Sequence, residues 1–472
     1  MNRDLTRRQF LLATGAAASV SLINSPISLF DRAEAAELTV RRDAGHMSAD
    51  DPVLVSYQKA IKAMKALSPR DPRSWTYQAA IHGTLTTPIQ SAWNTCQHGN
   101  YFFWSWHRMY LYWFERIVRR FAHDPCWALP YWNWSATTAR QLPAPFRDPQ
   151  SELFVSNRRA AMNGGGSLPP GHVDYAPAFS FADFSNASTS LEGTPHGAIH
   201  VDVGGWMGSV STAAQDPIFY LHHCNIDRLW NLWLAQGGGR TDPTGDAAWV
   251  KQRFTFFNEN GKHVEMTGCQ ILRAVDELHY VYEGESIQVK QYCSPKFVEP
   301  PVDFVEERLA VPPIPPVTLS SEPTTISIDL QALNNKIQPL LESTTDQIAL
   351  ELQGVEAESA PGVVWDVFVG LPDGAAPDSQ SPFFVGSVAL FGTGIRSEAT
   401  KEFRPARFIF PIKQALAASR QKNAEQLPVR FVPQGVLVEG KPLPPDLKSA
   451  VRIGRIGIMV ERTQKGGNVP RQ

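Results

Sequence analysis

The chain carries 12 histidines, and most of them stand in short phrases: His82 in "IHG", His98 in "CQHGN", His107 in "WSWHRMY", His196 and His200 in "PHGAIH", and His222 with His223 in "LHHCNIDR". His46, His123, His172, His263 and His279 stand alone, and for these a surface or hydrogen-bonded structural role is expected. A backbone-satisfied core histidine would explain any one of the clustered residues. It does not explain paired phrases, rich in aromatic neighbours and nearly devoid of local carboxylates. An all-imidazole donor set of this kind suits copper, nickel or zinc, whereas calcium and magnesium want oxygen.

Spacing constrains how such a set could converge. His196 and His200, four apart, project from one face of a helix. The zinc-protease form of this spacing needs Glu directly after the first histidine, and Gly197 stands there instead. His98 and His107, nine apart, would face opposite sides of a continuous helix. They meet only if His98 precedes the helix, and Gly99-Asn100 supplies the break. Gly204, Gly205 and Pro217 let the chain return from His200 to a second helix. Adjacent His222 and His223 lie about 100° apart on that helix, so spacing alone does not choose between them. His223 shares its face with Phe219, Ile226 and Trp230; His222 shares one with Ile218, Leu229 and Trp233.

The elements that position these residues are legible as well. "DPVLVSYQKAIKAMKAL" predicts a helix capped by Asp51, with Pro52 at its first position. A second is predicted from about Tyr101, capped by Asn100, to about Arg120, and a third begins at Asp216-Pro217 and runs through "IFYLHHCNIDRLWNLWL". The N-terminal half is therefore expected to be mainly helical, with long irregular loops. After Cys293 the composition shifts: residues 294–322 are proline-dense and predict an extended linker. Beyond it "TISIDL", "QIALEL", "VVWDVFV", "FFVGSVALFG", "RFIFPI", "VRFVP" and "AVRIGRIGIMV" predict an antiparallel β-sandwich over 323–472.

A net formal charge of -2 argues against nucleic acid as a partner, and no segment has the apolar length of a membrane span. Arg7-Arg8, a moderately apolar stretch and Ala33-Glu34-Ala35 resemble a twin-arginine export signal over residues 1–35, implying a periplasmic or secreted protein that takes up its cofactor before export. Five cysteines are too few for a disulfide scaffold. Cys96, two residues before His98, is set apart from the rest.

His-x8-His-Arg in an aromatic helix, then His-x3-His, then Asp-Pro-x4-His-His-x-Asn-x-Asp-Arg, resembles the type-3 copper family of tyrosinases, catechol oxidases and molluscan-type haemocyanins, over about Arg41 to Tyr282. The resemblance implies a catalytic domain over 36–293, with a four-helix bundle around two copper ions. His82, His98 and His107 would hold the first and His196, His200 and His223 the second, with His222 a neighbour. It implies a thioether between Cys96 and His98, a water-holding role for Glu192, and substrate-selecting positions at Gly197, Val201 and Val210. Gly197, where many efficient tyrosinases have Asn, argues against strong monophenol hydroxylation. Asn225, Asp227 and Arg228 would orient the ligand helix, and the Tyr280-x-Tyr282 pair would pack on Arg42. The C-terminal region resembles the shielding domain of latent polyphenol oxidases.

The activity implied is oxidation of o-diphenols, and of monophenols such as tyrosine, to o-quinones with dioxygen. Oxygen carriage like that of haemocyanin and oxidation of o-aminophenols stay open. So do the natural phenol, a copper-delivery partner and the oligomeric state.

Overall fold

Asp51 caps helix α1 (Pro52–Lys65) by accepting from the Val53 amide, with Pro52 in the first turn. Ser74 caps α2 (Trp75–His82) through the amide of Tyr77. Asn100 accepts from the Phe102 amide ahead of α3 (Phe103–Ala122), but the expected cap is corrected: Phe102, with no side-chain cap bond, stands at the helix N-terminus, and the helix begins two residues later than expected. Gly99, at φ +66°, turns the chain just before it, which leaves His98 outside the helix. Then follow α4 (Phe184–Leu191), α5 (Ala198–Val203) and α6 (Ile218–Ala235), the last entered through Asp216, whose carboxylate accepts from the Ile218 amide at 3.0 Å. The computed structural model describes residues 38–272, 274, 278–285, 302–398, 403–419 and 426–465; the export-signal reading of residues 1–35 lies outside them. Among the described residues no helix is long and apolar enough to cross a membrane.

Helices α2, α3, α5 and α6 surround the clustered histidines, and α1 packs along α3. Strand β1 (Thr39–Arg41), the hairpin of β2 (Arg253–Phe257) and β3 (His263–Thr267), and β4 (Tyr280–Tyr282) complete this domain, β1 pairing in parallel with β4. One buried carboxylate joins them. Asp227 of α6 accepts from the Tyr280 and Tyr282 hydroxyls at 2.7 and 2.6 Å, from Arg41 at 3.3 Å and from Arg108 of α3. Burial would push its carboxyl up, but Arg108 and Arg41 hold it below the usual carboxylate range.

The arginine that meets the tyrosine pair is Arg41, a correction to the expected Arg42. The Arg41 guanidinium lies 3.7 Å from the Tyr280 ring centre and donates to the Tyr282 hydroxyl at 2.9 Å. Arg42 pairs with Asp51 at the surface. Successive side chains of a strand point to opposite faces, so one position of phase decides which arginine is buried.

The C-terminal domain is built from β5 (Val302–Leu309), β6 (Val317–Leu319), β7 (Thr324–Asp329), β8 (Gln347–Glu356), β9 (Val364–Val369), β10 (Phe384–Val388), β11 (Ala406–Pro411), β12 (Gln426–Gln434), the small pair β13 (Leu437–Val438) and β14 (Lys441–Pro442), and β15 (Val451–Lys465). Two antiparallel sheets, ordered β10-β9-β12-β7 and β11-β8-β15-β5, enclose a core that includes Leu350, Leu352, Trp365, Val367, Phe431 and Ile458. All seven predicted runs are strands of these sheets.

The linker expected over 294–322 is corrected in its second half. Residues 302–309 are strand β5, paired along β15 from Val302↔Lys465 to Leu309↔Ile458, and β6 pairs with the start of β15. The domain therefore begins about twenty residues before the expected position 323. Charge hid the strand: Arg308 pairs with Glu351 at 2.8 Å and Glu307 with Arg462 at 2.9 Å, so β5 contributes ion pairs where an apolar alternation was sought. The proline run separates β5 from β6 within the domain.

Candidate metal centre

Seven buried imidazoles converge between the helices: His82, His98, His107, His196, His200, His222 and His223. His82 ends α2, His98 comes from the loop before α3, and His107 sits one turn into α3. Their ring centres are 5.4 Å (His82–His98), 5.3 Å (His98–His107) and 5.7 Å (His82–His107) apart. His196 and His200 meet His223 of α6 with ring centres at 5.1 and 5.5 Å, and lie 4.7 Å from each other. The trios touch where His107 and His223 stack, 4.3 Å apart and 8° from parallel.

Backbone carbonyls orient most of these rings. The Nδ1 of His82 donates to Val210 O at 3.1 Å, that of His107 to Phe103 O at 2.8 Å, that of His196 to Glu192 O at 2.9 Å and that of His200 to Met207 O at 2.7 Å. Each Nε2 is thereby left with its lone pair facing inward. Among the described residues the Nε2 atoms of His82, His98, His107 and His196 have no hydrogen-bond partner, although all are buried. Buried orphan nitrogens are costly, and several of them aimed at one space fit a group that is to be bound there. Burial keeps the imidazoles neutral: His82 is pushed down to about 3 and the others well below their ordinary value. Neutral imidazole is the form that binds a metal. This donor set fits copper.

His222 lies in the same cluster: one ligand atom from each of His196, His200, His222 and His223 falls within 4.8 Å of all the others. His223 is nonetheless the one whose Nε2 approaches that of His200, at 3.3 Å, and whose ring bridges to the first trio. The His222 ring lies 4.8 Å from His200, 5.5 Å from His196 and 5.8 Å from Trp134, and both its nitrogens are buried without a hydrogen-bond partner, so the geometry brings His222 into the cluster beside His223. Phe103 and Phe219 wall the centre, Phe219 lying 4.7 Å from His82 and 4.2 Å from His223.

Cys96 places its Sγ 3.6 Å from His98 Nδ1. Glu192 is buried and its carboxylate accepts from the Gly99 amide at 2.7 Å, so it ties the His98 loop to the segment carrying His196; burial pushes its carboxyl up to about 8, against the lowering effect of that bond. Val210 contributes its carbonyl to His82 and lines a cavity of about 200 Å³ beside Cys96 and His98, with Asn94, Glu398 and Arg404. Gly197 and Val201 meet a different neighbour. Val201 packs with Ala198, Val364 and Ala389, and a Cβ on Gly197 would stand 3.3 Å from Ala389 O. Asn225 accepts from Arg228, whose guanidinium lies over Tyr131 at the edge of the domain, so of the three helix-orienting candidates Asp227 has the most partners.

Sequence reasoning missed Phe391. The chain leaving β10 lays this ring on His200, 3.7 Å between centres and 9° from parallel, and within 5.5 Å of His196 and 5.7 Å of His98. Gly392 follows at φ +82°, where a Cβ would collide with the His98 ring at 2.5 Å. A bulky residue followed by glycine at the end of a strand was the only local signal. The carbonyls of Val210 and Met207 were equally unannounced.

A cluster of buried, neutral imidazoles inside a helical domain, with an antiparallel β-domain resting on it, has the donor set of a histidine metal centre. The common central domain of tyrosinase matches residues 72–174 and 173–236, the polyphenol oxidase middle domain matches 243–292, and a domain of unknown function matches 315–461. A tyrosinase of Hahella sp. (strain CCB-MM4) is 30% identical over 458 residues, spanning 81% of this chain and 93% of its own. A chloroplastic polyphenol oxidase of Malus domestica is 28% identical, covering 75% of this chain and 68% of its own. In fold the chain is similar to latent apple tyrosinase (24% identity, TM-score 0.65, covering 90% of this chain and 98% of that one). It is also similar to a functional unit of octopus hemocyanin (18% identity, TM-score 0.54, covering 89% and 99%). The chain belongs to the tyrosinase and polyphenol oxidase family, and is an oxidoreductase of the copper-dependent kind that acts on phenols.

Proposed function

We propose that this protein oxidises o-diphenols to o-quinones with dioxygen, using one copper ion held by His82, His98 and His107 and a second held by His196, His200 and His223. The observation that carries the reading is the inward set of buried Nε2 atoms on carbonyl-anchored, neutral rings. When bound, two copper ions supply the two-electron exchange between a phenol and dioxygen. The chain's own residues fix the imidazoles, and Phe103 and Phe219 keep water from the space between them. The preference for diphenols rests on Gly197, which offers no side-chain amide, and on Glu192, whose carboxylate is engaged by the Gly99 amide.

The C-terminal domain acts as a shield, with Phe391 occupying the face of His200 that an aromatic substrate would approach. Cys96 and His98 are joined by a thioether in the copper-loaded protein, a reading supported by their 3.6 Å approach. A peptide mass lighter by two hydrogens would establish the bond; alkylation of Cys96 in loaded protein would refute it. Residues 1–35 direct twin-arginine export, and a mature N-terminus after Ala35 in an exporting bacterium is the expected result.

Oxygen uptake by copper-loaded chain, cut between its domains by limited proteolysis, tests the function. Uptake with the o-diphenol of tyrosine and little with tyrosine is expected. Equal uptake with both would make it a tyrosinase despite Gly197. Uptake with neither would favour oxygen carriage or aminophenol oxidation.

A further inference from the structure

Residues 194–202, which carry His196 and His200, are gripped at both ends by strands β9 and β10. At one end the Thr194 hydroxyl donates to Ser387 O at 2.6 Å. At the other, Asp202 accepts from His172 Nδ1 at 2.7 Å, and His172 Nε2 lies 3.4 Å from the carboxylate of Asp366 in β9, at ion-pair distance but not aligned for a hydrogen bond. Asp366 in turn accepts from the Ser387 hydroxyl at 2.7 Å, which closes the path back to β10. Between the grips, Ala198 and Val201 meet Val364 and Ala389. Phe391 leaves the same strand four residues after Ser387.

His172 is fully buried, and so are both carboxylates it faces, one from each domain. Two buried anions this close repel each other unless a cation lies between them. Burial alone would push the imidazole down, but Asp202 and Asp366 push it up to about 10, so the ring is the missing cation.

We propose that protonated His172 is the clasp that holds the C-terminal domain on the catalytic domain and so keeps Phe391 over His200. The proposal rests on the shielding role given above. From α5 the ring faces Asp202 and from β9 Asp366, whose carboxylate also accepts from the Ser387 hydroxyl of β10. Elsewhere on the interface Glu461 of β15 accepts from Asn186 and from the amides of Ala182 and Asp183, and burial pushes it up to about 7, with the raised Asp183 beside it. Glu398, accepting from the Val210 amide, is raised by burial as well. His172, Glu461, Asp183 and Glu398 bind a proton more tightly in the docked state than exposed to water. Docking is therefore strongest in acid and weakens as pH rises through about 7 (Glu461) and again through about 10 (His172).

The test compares copper-loaded full-length wild type, His172→Gln and Asp366→Asn, each intact and after the interdomain cut, by catechol-driven oxygen uptake and by hydrogen–deuterium exchange. Uptake by the intact chain relative to its cut form is expected to rise about tenfold or more in His172→Gln, which leaves two facing carboxylates without their cation, and by a smaller factor in Asp366→Asn, which removes only the half of the contact that crosses between the domains. The cut forms should stay alike. Exchange should rise at 198–203 and 364–369 in the variants, and in wild type alone it should rise reversibly toward pH 10. Asp366→Asn keeps the His172–Asp202 pair, and so guards against a variant that merely fails to fold. Unchanged uptake ratio and unchanged exchange would overturn the clasp. A wild-type chain that gains nothing on cutting would instead overturn the shield, and exchange would then decide the clasp by itself.

Discussion

The two histidine trios are built by different means. The first gathers residues from a helix end, a loop and a helix interior, and its loop member, His98, has a sulfur neighbour where the others have a carbonyl. The second is more compact in sequence, with two members bonded to carbonyls within seven residues, and it is clamped from outside by β9, β10 and Phe391. The first trio is thus organised by the catalytic domain itself. The second is organised there too but carries most of the contact with the C-terminal domain, which reaches the first trio only at His98, through Phe391 and Gly392.

Removing a ligand from each trio breaks this comparison most severely. His98→Ala and His200→Ala should each lower bound copper from two ions per chain to one, by metal analysis. Each should reduce catechol turnover by more than the roughly 10–100-fold typical of residues that only orient a ligand. Asp227→Asn tests the frame both trios share: with Arg41 and Arg108 left buried, stability should fall by about 3–5 kcal/mol in denaturant unfolding. Phe391→Ala acts chiefly on the second trio, whose His200 the ring covers, and less on His98 at 5.7 Å. It should raise turnover of the intact chain about tenfold and leave the cut chain unchanged. The smallest effect is expected at the first trio's loop: Cys96→Ser should speed copper loss to a chelator by about threefold to tenfold, with the His200 side unaffected.

What was legible in the sequence was local. Asp51-Pro52, Asn100 and Asp216 announce their helices because the side chain and the amide it accepts from lie within a few residues. The seven β-runs are legible because strands buried against another sheet are rich in β-branched and aromatic residues. Gly99 indicated correctly that His98 must stand outside α3. The burial of Arg41 in place of the expected Arg42 was not legible because the phase of a three-residue strand leaves no periodicity to read. Strand β5 was taken for linker because its cross-strand partners are charged. Phe391, His172 and Glu461 were illegible for another reason: Glu461 meets Asn186 across 275 residues, and nothing near any of the three foretells its partner.

The most direct test of the account is oxygen uptake with a catechol by chain that carries two copper ions and has been cut between its domains. The account predicts sustained turnover in the cut chain and a small fraction of it in the intact one. Two bound copper ions with no uptake in either form would contradict it.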